Sequence, residues 1–191
     1  MIKGKKIVLR EVEDADIESM TKWRNDRETN KHFFTHDPTT VDRQRKWIAA
    51  HGKGADERLF IIAPIDNPSK AVGTVGLTHI DQHNRRAEWG RFLIGDVSAR
   101  RAGLGSEALY LSLRYAFRVL NLHKLYLEVF SWNKAARSLY KRFGFRLEGT
   151  WRSHVFSDGH FHDVCLYGLL RSEFLEKESK IRRILYKTEG Q

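Results

Sequence analysis

The sequence predicts an α+β fold with a mixed, mostly antiparallel sheet of about seven strands flanked by helices. Three observations predict it. RLFIIAP (58–64), AVGTVGLTHI (71–80) and RAEWGRFLIG (86–95) are successive apolar, β-prone runs separated by the turn-like NPSK and DQHN, which reads as an antiparallel meander. Leu109, Leu113, Ala116, Phe117 and Leu120 then recur with helical spacing and form one apolar stripe. Asp158-Gly159 sits between two alternating runs, the strongest short hairpin signal in the chain.

Each element has its own reason. KIVLRE (6–11) alternates and is β-branched, so it reads as a strand. DADIESMTKWRND (14–26) offers Asp14 or Asp16 as a cap, with Ile17, Met20 and Arg24 at helical spacing. TTVDRQRKWIAAH (39–51) starts on a threonine cap and turns Val41, Trp47 and Ile48 to one side. Beyond the meander and its following helix, HKLYLEVF (123–130) reads as a buried strand. NKAARSLYKRF (133–143) is a helix with Ala136, Leu139, Tyr140 and Phe143 on one stripe, and GFRLEG (144–149) is a strand. The β–α–β segment around 122–149 is expected to make part of the sheet parallel. No linker divides the chain: residues 1–175 read as one domain and 176–191 as a charged C-terminal helix or tail.

The formal net charge of +10 favours polyanionic partners, phosphate-bearing small molecules among them. No apolar run is long enough to span a bilayer, and MIKGKKIVLREVED lacks a secretory signal pattern. A single cysteine, Cys165, excludes an internal disulfide and fits a reducing compartment. The expected setting is therefore cytoplasmic, with no membrane partner. Without a zinc-finger or RNP signature, nucleic acid is a disfavoured partner.

Arg100-Arg101-Ala102-Gly103-Leu104-Gly105-Ser106 puts basic residues and bare backbone at a strand-to-helix corner. Free N–H groups at a helix start, approached over glycine, capture anions. The corner is no P-loop, since no Gly-Lys-Ser/Thr follows. It is no dinucleotide fingerprint either, since Ala108 replaces the third glycine. A turn that merely starts a helix would look similar on its own.

The series strand–RRAGLG–helix–strand–NKAARSLYKRFGF–strand resembles the GNAT superfamily of acyl-CoA-dependent N-acetyltransferases. That family writes its pyrophosphate loop Q/R-x-x-G-x-G/A, matched by Arg100, Gly103 and Gly105; Asn133, Tyr140, Gly144 and Phe145 match its next segment. LREVEDADIESMTKWRND and EGTWRSHVFSDGHFHDVCLYGLL are similar to the branch with spermidine and ribosomal-protein N-terminal acetyltransferases, so the likeness spans most of 6–175.

The resemblance implies a GNAT-type sheet, acetyl-CoA as co-substrate and no metal. The loop 100–106 would take the CoA pyrophosphate, with Asn133 and Arg137 nearby. Phe92, Leu93 and Ile94 would offer a strand edge to the pantetheine amides, beside a gap to 125–130. Tyr140 would protonate the leaving thiolate, although a core tyrosine would share its place on the stripe. Glu88 is the candidate base, with His79 and Asp81 as weaker alternatives. Transfer would be direct, in a ternary complex, because Cys165 has no paired histidine in view. His154, His160 and His162 lack a ligand spacing and suit an acceptor pocket better than a metal.

Trp23, Arg24, Asn25, His79 and His154 are the expected acceptor-binding residues. The acceptor is read as a small primary amine such as a nucleotide-linked amino sugar, because Lys22-Trp23-Arg24-Asn25-Asp26 before an aromatic pair is similar to amino-sugar N-acetyltransferases. A polyamine or a ribosomal protein N-terminus is the alternative, opposed by the net charge. A non-catalytic acyl-CoA or nucleic-acid binder is the reading of another class. A homodimer is compatible with all of them.

Overall fold

The computed structural model describes residues 1–51, 54, 56–100 and 102–186. Its strands are β1 (Ile2–Lys3), β2 (Ile7–Glu11), β3 (Arg58–Pro64), β4 (Gly73–Asp81), β5 (Arg86–Ile94), β6 (Lys124–Phe130), β7 (Arg146–Ser157) and β8 (His160–Leu170). Its helices are α1 (Ile17–Asn25), α2 (Arg27–Asn30), α3 (Val41–His51), α4 (Leu104–Arg114), α5 (Lys134–Arg142) and α6 (Arg171–Tyr186). One eight-stranded sheet runs in the order β1-β2-β3-β4-β5-β6-β8-β7. The strand beyond the expected seven is β1, two residues paired with β2 as Ile2↔Leu9 and Lys3↔Val8.

The parallel pairing lies elsewhere than expected. β5 and β6 are the parallel neighbours, joined by the α4 crossover. β6 and β7 are not neighbours, because β8 inserts between them and pairs antiparallel with both. Burial explains the order. Val164, Cys165, Tyr167 and Leu169 of β8 are all buried, which suits an interior strand, whereas most of β7 is exposed, which suits an edge.

Alternation along the strands builds a different core on each face. Val8, Leu59, Ile61 and Ala63 meet Met20 and Trp23 of α1, with Trp47 and Ile48 of α3 packed alongside. On the other face Phe60, Ile62, Leu77, Trp89, Leu127 and Tyr167 meet α4, α5 and α6 through Leu109, Phe117, Tyr140, Phe174 and Ile181. α4 ends in a wider turn over Tyr115–Val119, where Leu120 N–H donates to the Tyr115 carbonyl at 3.0 Å.

β5 and β6 pair only over Arg86↔Lys124, Ala87↔Leu125 and Glu88↔Tyr126. Beyond that point β5 continues on β4 and β6 continues on β8, so the two strands part. The cause is local. Gly76 pairs with Gly90 and Thr74 with Leu93, so β5 carries one extra residue there, with Arg91 at φ 51. Such a bulge bends its strand and raises the local twist.

α1 is anchored to the sheet by a buried bidentate pair. Arg10 Nη1 and Nη2 each reach an Asp16 carboxylate oxygen at 2.7 Å, and Arg10 Nε donates to the Pro68 carbonyl at 2.7 Å. Asp16 also accepts from Glu13 N–H at 2.8 Å. Asp16→Ala strands the guanidinium in a dry site, and breaking such a pair costs about 3–5 kcal/mol. A urea titration should show a loss of that size. A loss under about 1 kcal/mol would place the pair among weak surface bridges.

Candidate active site

Gly103 caps α4 at φ 80, a conformation that strains any L side chain. A Cβ built there meets nothing within 4 Å, so the space before the loop is open. Ser106 and Glu107 N–H both turn back to the Gly103 carbonyl, at 3.1 and 3.2 Å. The N–H groups of Leu104 and Gly105 open the helix without an intrahelical acceptor, at the positive end of its dipole. At Gly105 a Cβ would stand 3.0 Å from Phe92 Cζ, so glycine lets β5 pack against the loop. The donor set and the open cradle fit a diphosphate. Ala102 and Ser106 flank it and face Arg142 and Lys6 across a cavity. Arg101 lies outside the described residues.

Arg100 turns back on the protein: Nε donates to the Ile94 carbonyl at 3.0 Å, and Nη2 lies 3.3 Å from Thr29 Oγ1. It ties the end of β5 to α2. Phe92, Leu93 and Ile94 are half-buried on the stretch of β5 that has left β6. Asn133 caps α5, its Oδ1 accepting from Ala136 N–H at 3.1 Å. Arg137 points inward, donating from Nη1 to the Ser131 carbonyl at 2.6 Å and from Nε to Tyr167 Oη at 3.2 Å.

Tyr140 packs edge-on against Trp89, with ring centroids 5.6 Å apart. Trp89 directly follows the last β5–β6 pair, so Tyr140 sits under the point where the strands part. Its ring is 8% exposed, and burial raises the phenol above its usual range. No protein group bonds its hydroxyl among the described residues, yet no fully buried side-chain oxygen there lacks a partner. The hydroxyl therefore reaches the cleft surface.

Glu88 closes the paired segment on the opposite face, the one shared with α1 and α3. Its Oε2 lies 2.9 Å from His79 Nδ1 and 3.4 Å from Thr78 Oγ1. A second bulge aims the histidine. Thr78 pairs with Glu88 and Asp81 with Arg86, so β4 carries the extra residue, with His79 at φ 51. Glu128 of β6 lies on the same face, two residues beyond Tyr126, the partner of Glu88. Burial and then the Glu88 charge raise its carboxyl, against His154 and His79. Burial and the same charge raise Tyr126. Glu128 was missed in the sequence, although KLYLEVF shows it: Leu125, Leu127 and Val129 go inward, so Tyr126 and Glu128 take the other face.

The expected acceptor residues divide. Trp23 is corrected to a core position: it is 8% exposed and packed with Met20 and Leu59, and a Cβ on Gly95 would stand 2.1 Å from its ring. Ile17, Met20 and Trp23 follow a three-residue spacing, the signal that places it there. Arg24 and Asn25 instead fasten the segment 31–40. Arg24 Nη2 donates to Thr35 Oγ1 at 2.6 Å, and Asn25 exchanges two 2.9 Å bonds with the Thr39 backbone. That segment crosses to the far strands. His32 packs on Trp132, Phe34 meets Phe130 edge-on, and His36 Nε2 lies 3.1 Å from Ser157 Oγ. Beside it is a cavity of about 600 Å³ walled by Phe130, Trp132, Phe161, Asp158 and His162. His79 and His154 are exposed and flank the two glutamates.

Among the described residues no group of three His, Cys, Asp or Glu could hold a metal ion, and no helix is long and apolar enough to cross a membrane. Cys165 is buried, 3% exposed, with Thr150 Oγ1 3.9 Å from its sulfur.

A split parallel pair, an amide-lined anion cradle and a tyrosine beneath the split define a CoA-dependent acyltransferase fold. A sequence model of the acetyltransferase (GNAT) domain matches residues 6–146, and the chain belongs to that family. It is an acyl-CoA-dependent N-acetyltransferase with acetyl-CoA as co-substrate. Among proteins of assigned activity it is similar to the spermidine N(1)-acetyltransferase of Vibrio cholerae, 28% identical over 171 residues, 90% of this chain and 96% of that protein. The Escherichia coli K12 spermidine N(1)-acetyltransferase is 25% identical over 185 residues, 97% of each chain. The Vibrio cholerae spermidine N-acetyltransferase solved in complex with CoA and spermine superposes with a TM-score of 0.83 at 28% identity, covering 90% of this chain and 99% of that one.

Gly105→Val drives a side chain into Phe92, and Gly103→Val strains the cap. Calorimetry should show the double variant losing at least about tenfold in CoA affinity, roughly 1.4 kcal/mol. Wild-type affinity in a folded double variant would remove the cradle from cofactor binding.

Proposed function

We propose that the protein acetylates a primary amine of a small polycationic acceptor of the polyamine class, by direct attack on acetyl-CoA in a ternary complex. One observation carries this reading: Glu88 and Glu128 lie on the same sheet face, where β5 and β6 part. The net charge of +10 argued against a polycation. This acidic seam is the local exception the argument requires. Phosphates of a nucleotide-linked amino sugar would be repelled there, and the relatives named above act on spermidine. The cytoplasmic setting stays within the same proposal.

The roles follow from placement. Glu88 takes the proton of the attacking ammonium, and His79, 2.9 Å away and exposed, passes it to solvent. Glu128 holds positive charge on the acceptor. The amine nitrogen bonds to the thioester carbonyl carbon, the C–S bond breaks, Tyr140 gives its proton to the sulfur, and the proton the nitrogen then sheds on becoming an amide restores the Tyr140 phenol. Burial keeps that phenol protonated until an anion forms beside it. Cys165 is buried in the sheet core, away from this path, so no acyl-enzyme is invoked.

Tyr140→Phe should lower kcat about 10²–10⁴-fold while leaving CoA affinity near wild type, read by thiol release and calorimetry. Unchanged turnover would remove the phenol as the acid.

Glu128 yields a prediction with a sign. Its folded-state carboxyl is raised, so the folded chain binds more protons than the unfolded one, and Glu128 lowers stability as pH rises through that window. Glu128→Gln should therefore melt higher than wild type at pH 7 and equal to it in acid below the carboxylate range. The same variant should raise KM for spermidine more than for a monoamine in a thiol-release screen over polyamines, amino-sugar nucleotides and monoamines. A screen in which amino-sugar nucleotides turn over and polyamines do not would end the polyamine assignment.

A further inference from the structure

We propose that His32 is a positioning residue: as a neutral ring it fastens segment 31–40 across the split on the acceptor face, and charging the ring loosens that segment and weakens acceptor binding. The proposal rests on the reading above in placing the amine on that face. The transfer chemistry itself makes no use of His32.

Topology makes the segment a bridge. Residues 31–40 leave α2 and return to α3, which packs with α1 over β2 and β3. In between they touch Phe130 at the end of β6, Trp132 just beyond it and Ser157 of β7. The sheet order puts the β5–β6 split between those two anchorages. At the near end, Arg24 holds Thr35 and Asn25 holds the Thr39 backbone, bonds that do not titrate near neutral pH. At the far end the edge-on Phe34–Phe130 contact is equally indifferent to pH. The two remaining far contacts are made by histidines.

Asn133 fixes the polarity of the first. Its Oδ1 is committed to Ala136 N–H at 3.1 Å, so its Nδ2 faces His32 Nδ1 at 3.3 Å. An amide nitrogen donates and does not accept, so His32 Nδ1 presents its lone pair and the neutral ring carries its hydrogen on Nε2. Protonation sets N–H against N–H and breaks the contact. The second contact tolerates either state: Ser157 Oγ, 3.1 Å from His36 Nε2, both donates and accepts. The pH dependence therefore falls on His32. Its ring packs on Trp132 with centroids 5.4 Å apart. Partial burial, then Lys31 and Arg100, hold it below the usual histidine range, against Glu28, which is ion-paired with Lys31. His162 of β8 reaches the same indole at 6.4 Å, and Asp158, His160 and Asp163 line the adjoining cavity. The fastening is present while the ring is neutral and is lost as pH falls below the histidine range. Asn133 also caps α5, the helix that carries Tyr140, so the acceptor segment is registered on the element bearing the acid.

Spermidine kinetics on the full chain between about pH 5 and pH 8 test the proposal, with His32→Asn and His32→Ala beside wild type. Asparagine puts Oδ1 where the imidazole has Nδ1, an acceptor that does not titrate. In acid the wild-type KM for spermidine should exceed that of His32→Asn about three- to tenfold, the size expected of one hydrogen bond, and the two should agree at the alkaline end. His32→Ala should show the raised KM at both ends. In all three proteins kcat and calorimetric CoA affinity should match at each pH, because Asn133 keeps its cap. Hydrogen exchange of residues 31–40, read by mass spectrometry without acceptor, should sort the three proteins in the same way. Parallel KM profiles, or losses shared equally by kcat and CoA affinity, overturn the role of His32. A wild-type protein that does not turn over spermidine ends the polyamine reading. The exchange data then decide on His32 alone: faster exchange in acid for wild type than for His32→Asn supports it, and identical exchange overturns it.

Discussion

A parallel pair that stops after three residues leaves the facing edges of two central strands unpaired with each other in the middle of the sheet. Elsewhere the ladder continues from β1 across to β7. Central strands rarely leave such groups unpaired, because a buried unpaired amide is costly. The split is held open by what surrounds it: a bulge at Arg91 bends β5 away, and β8 holds β6 along its whole length, from Lys124↔Leu170 to Phe130↔Val164. Such facing edges suit a ligand that carries its own amides. The anion cradle, Tyr140 and Glu88 all take their positions from that gap.

The sheet also separates charge. On the α4–α5 side, the cradle, Lys6 and Arg142 suit a phosphate-rich ligand. On the α1–α3 side, Glu88 and Glu128 suit an amine. Net charge describes the first face and misleads about the second. A seam a few ångströms wide outweighs a distant surface charge, because screening removes the contribution of charges beyond about 8 Å at physiological salt. Under the proposed function, the two substrates approach from opposite faces and meet through the split.

Local chemistry was legible in the sequence, and adjacency was not. Gly103 and Gly105 before an amphipathic stripe announced the glycine-opened start of α4, and Asp158-Gly159 announced the β7–β8 hairpin, because both signals lie within a few residues. The insertion of β8 beside β6 is a contact between distant segments, decided by which strand is apolar enough for the interior. Trp23 and Glu128 were both legible by periodicity, but Trp23 was read by residue type, the weaker guide, and Glu128 was passed over within a strand read as buried. His79 beside Glu88 was not legible as geometry: a bulge sets it, and no residue in GTVGLTHID marks one. The crossing of 31–40 to Trp132 and Ser157 likewise depends on tertiary packing.

Part of the backbone strain sits at irregularities of the sheet. Among the described residues six non-glycine positions have positive φ, and His79, Arg91 and Ser153 are three of them, each at a bulge or register shift of the sheet. Each such residue costs about 1–3 kcal/mol and persists only where neighbours over-determine it. Those neighbours are identifiable: His79 faces Glu88, Arg91 stacks over Trp47 with its carbonyl held by Thr74 Oγ1, and Ser153 N–H reaches Asp163 at 2.8 Å. A sheet free of bulges would pair β5 with β6 further and turn His79 away from Glu88. The two bulges are therefore separate constraints with complementary results: the one at Arg91 parts β5 from β6, and the one at His79 sets that ring against Glu88.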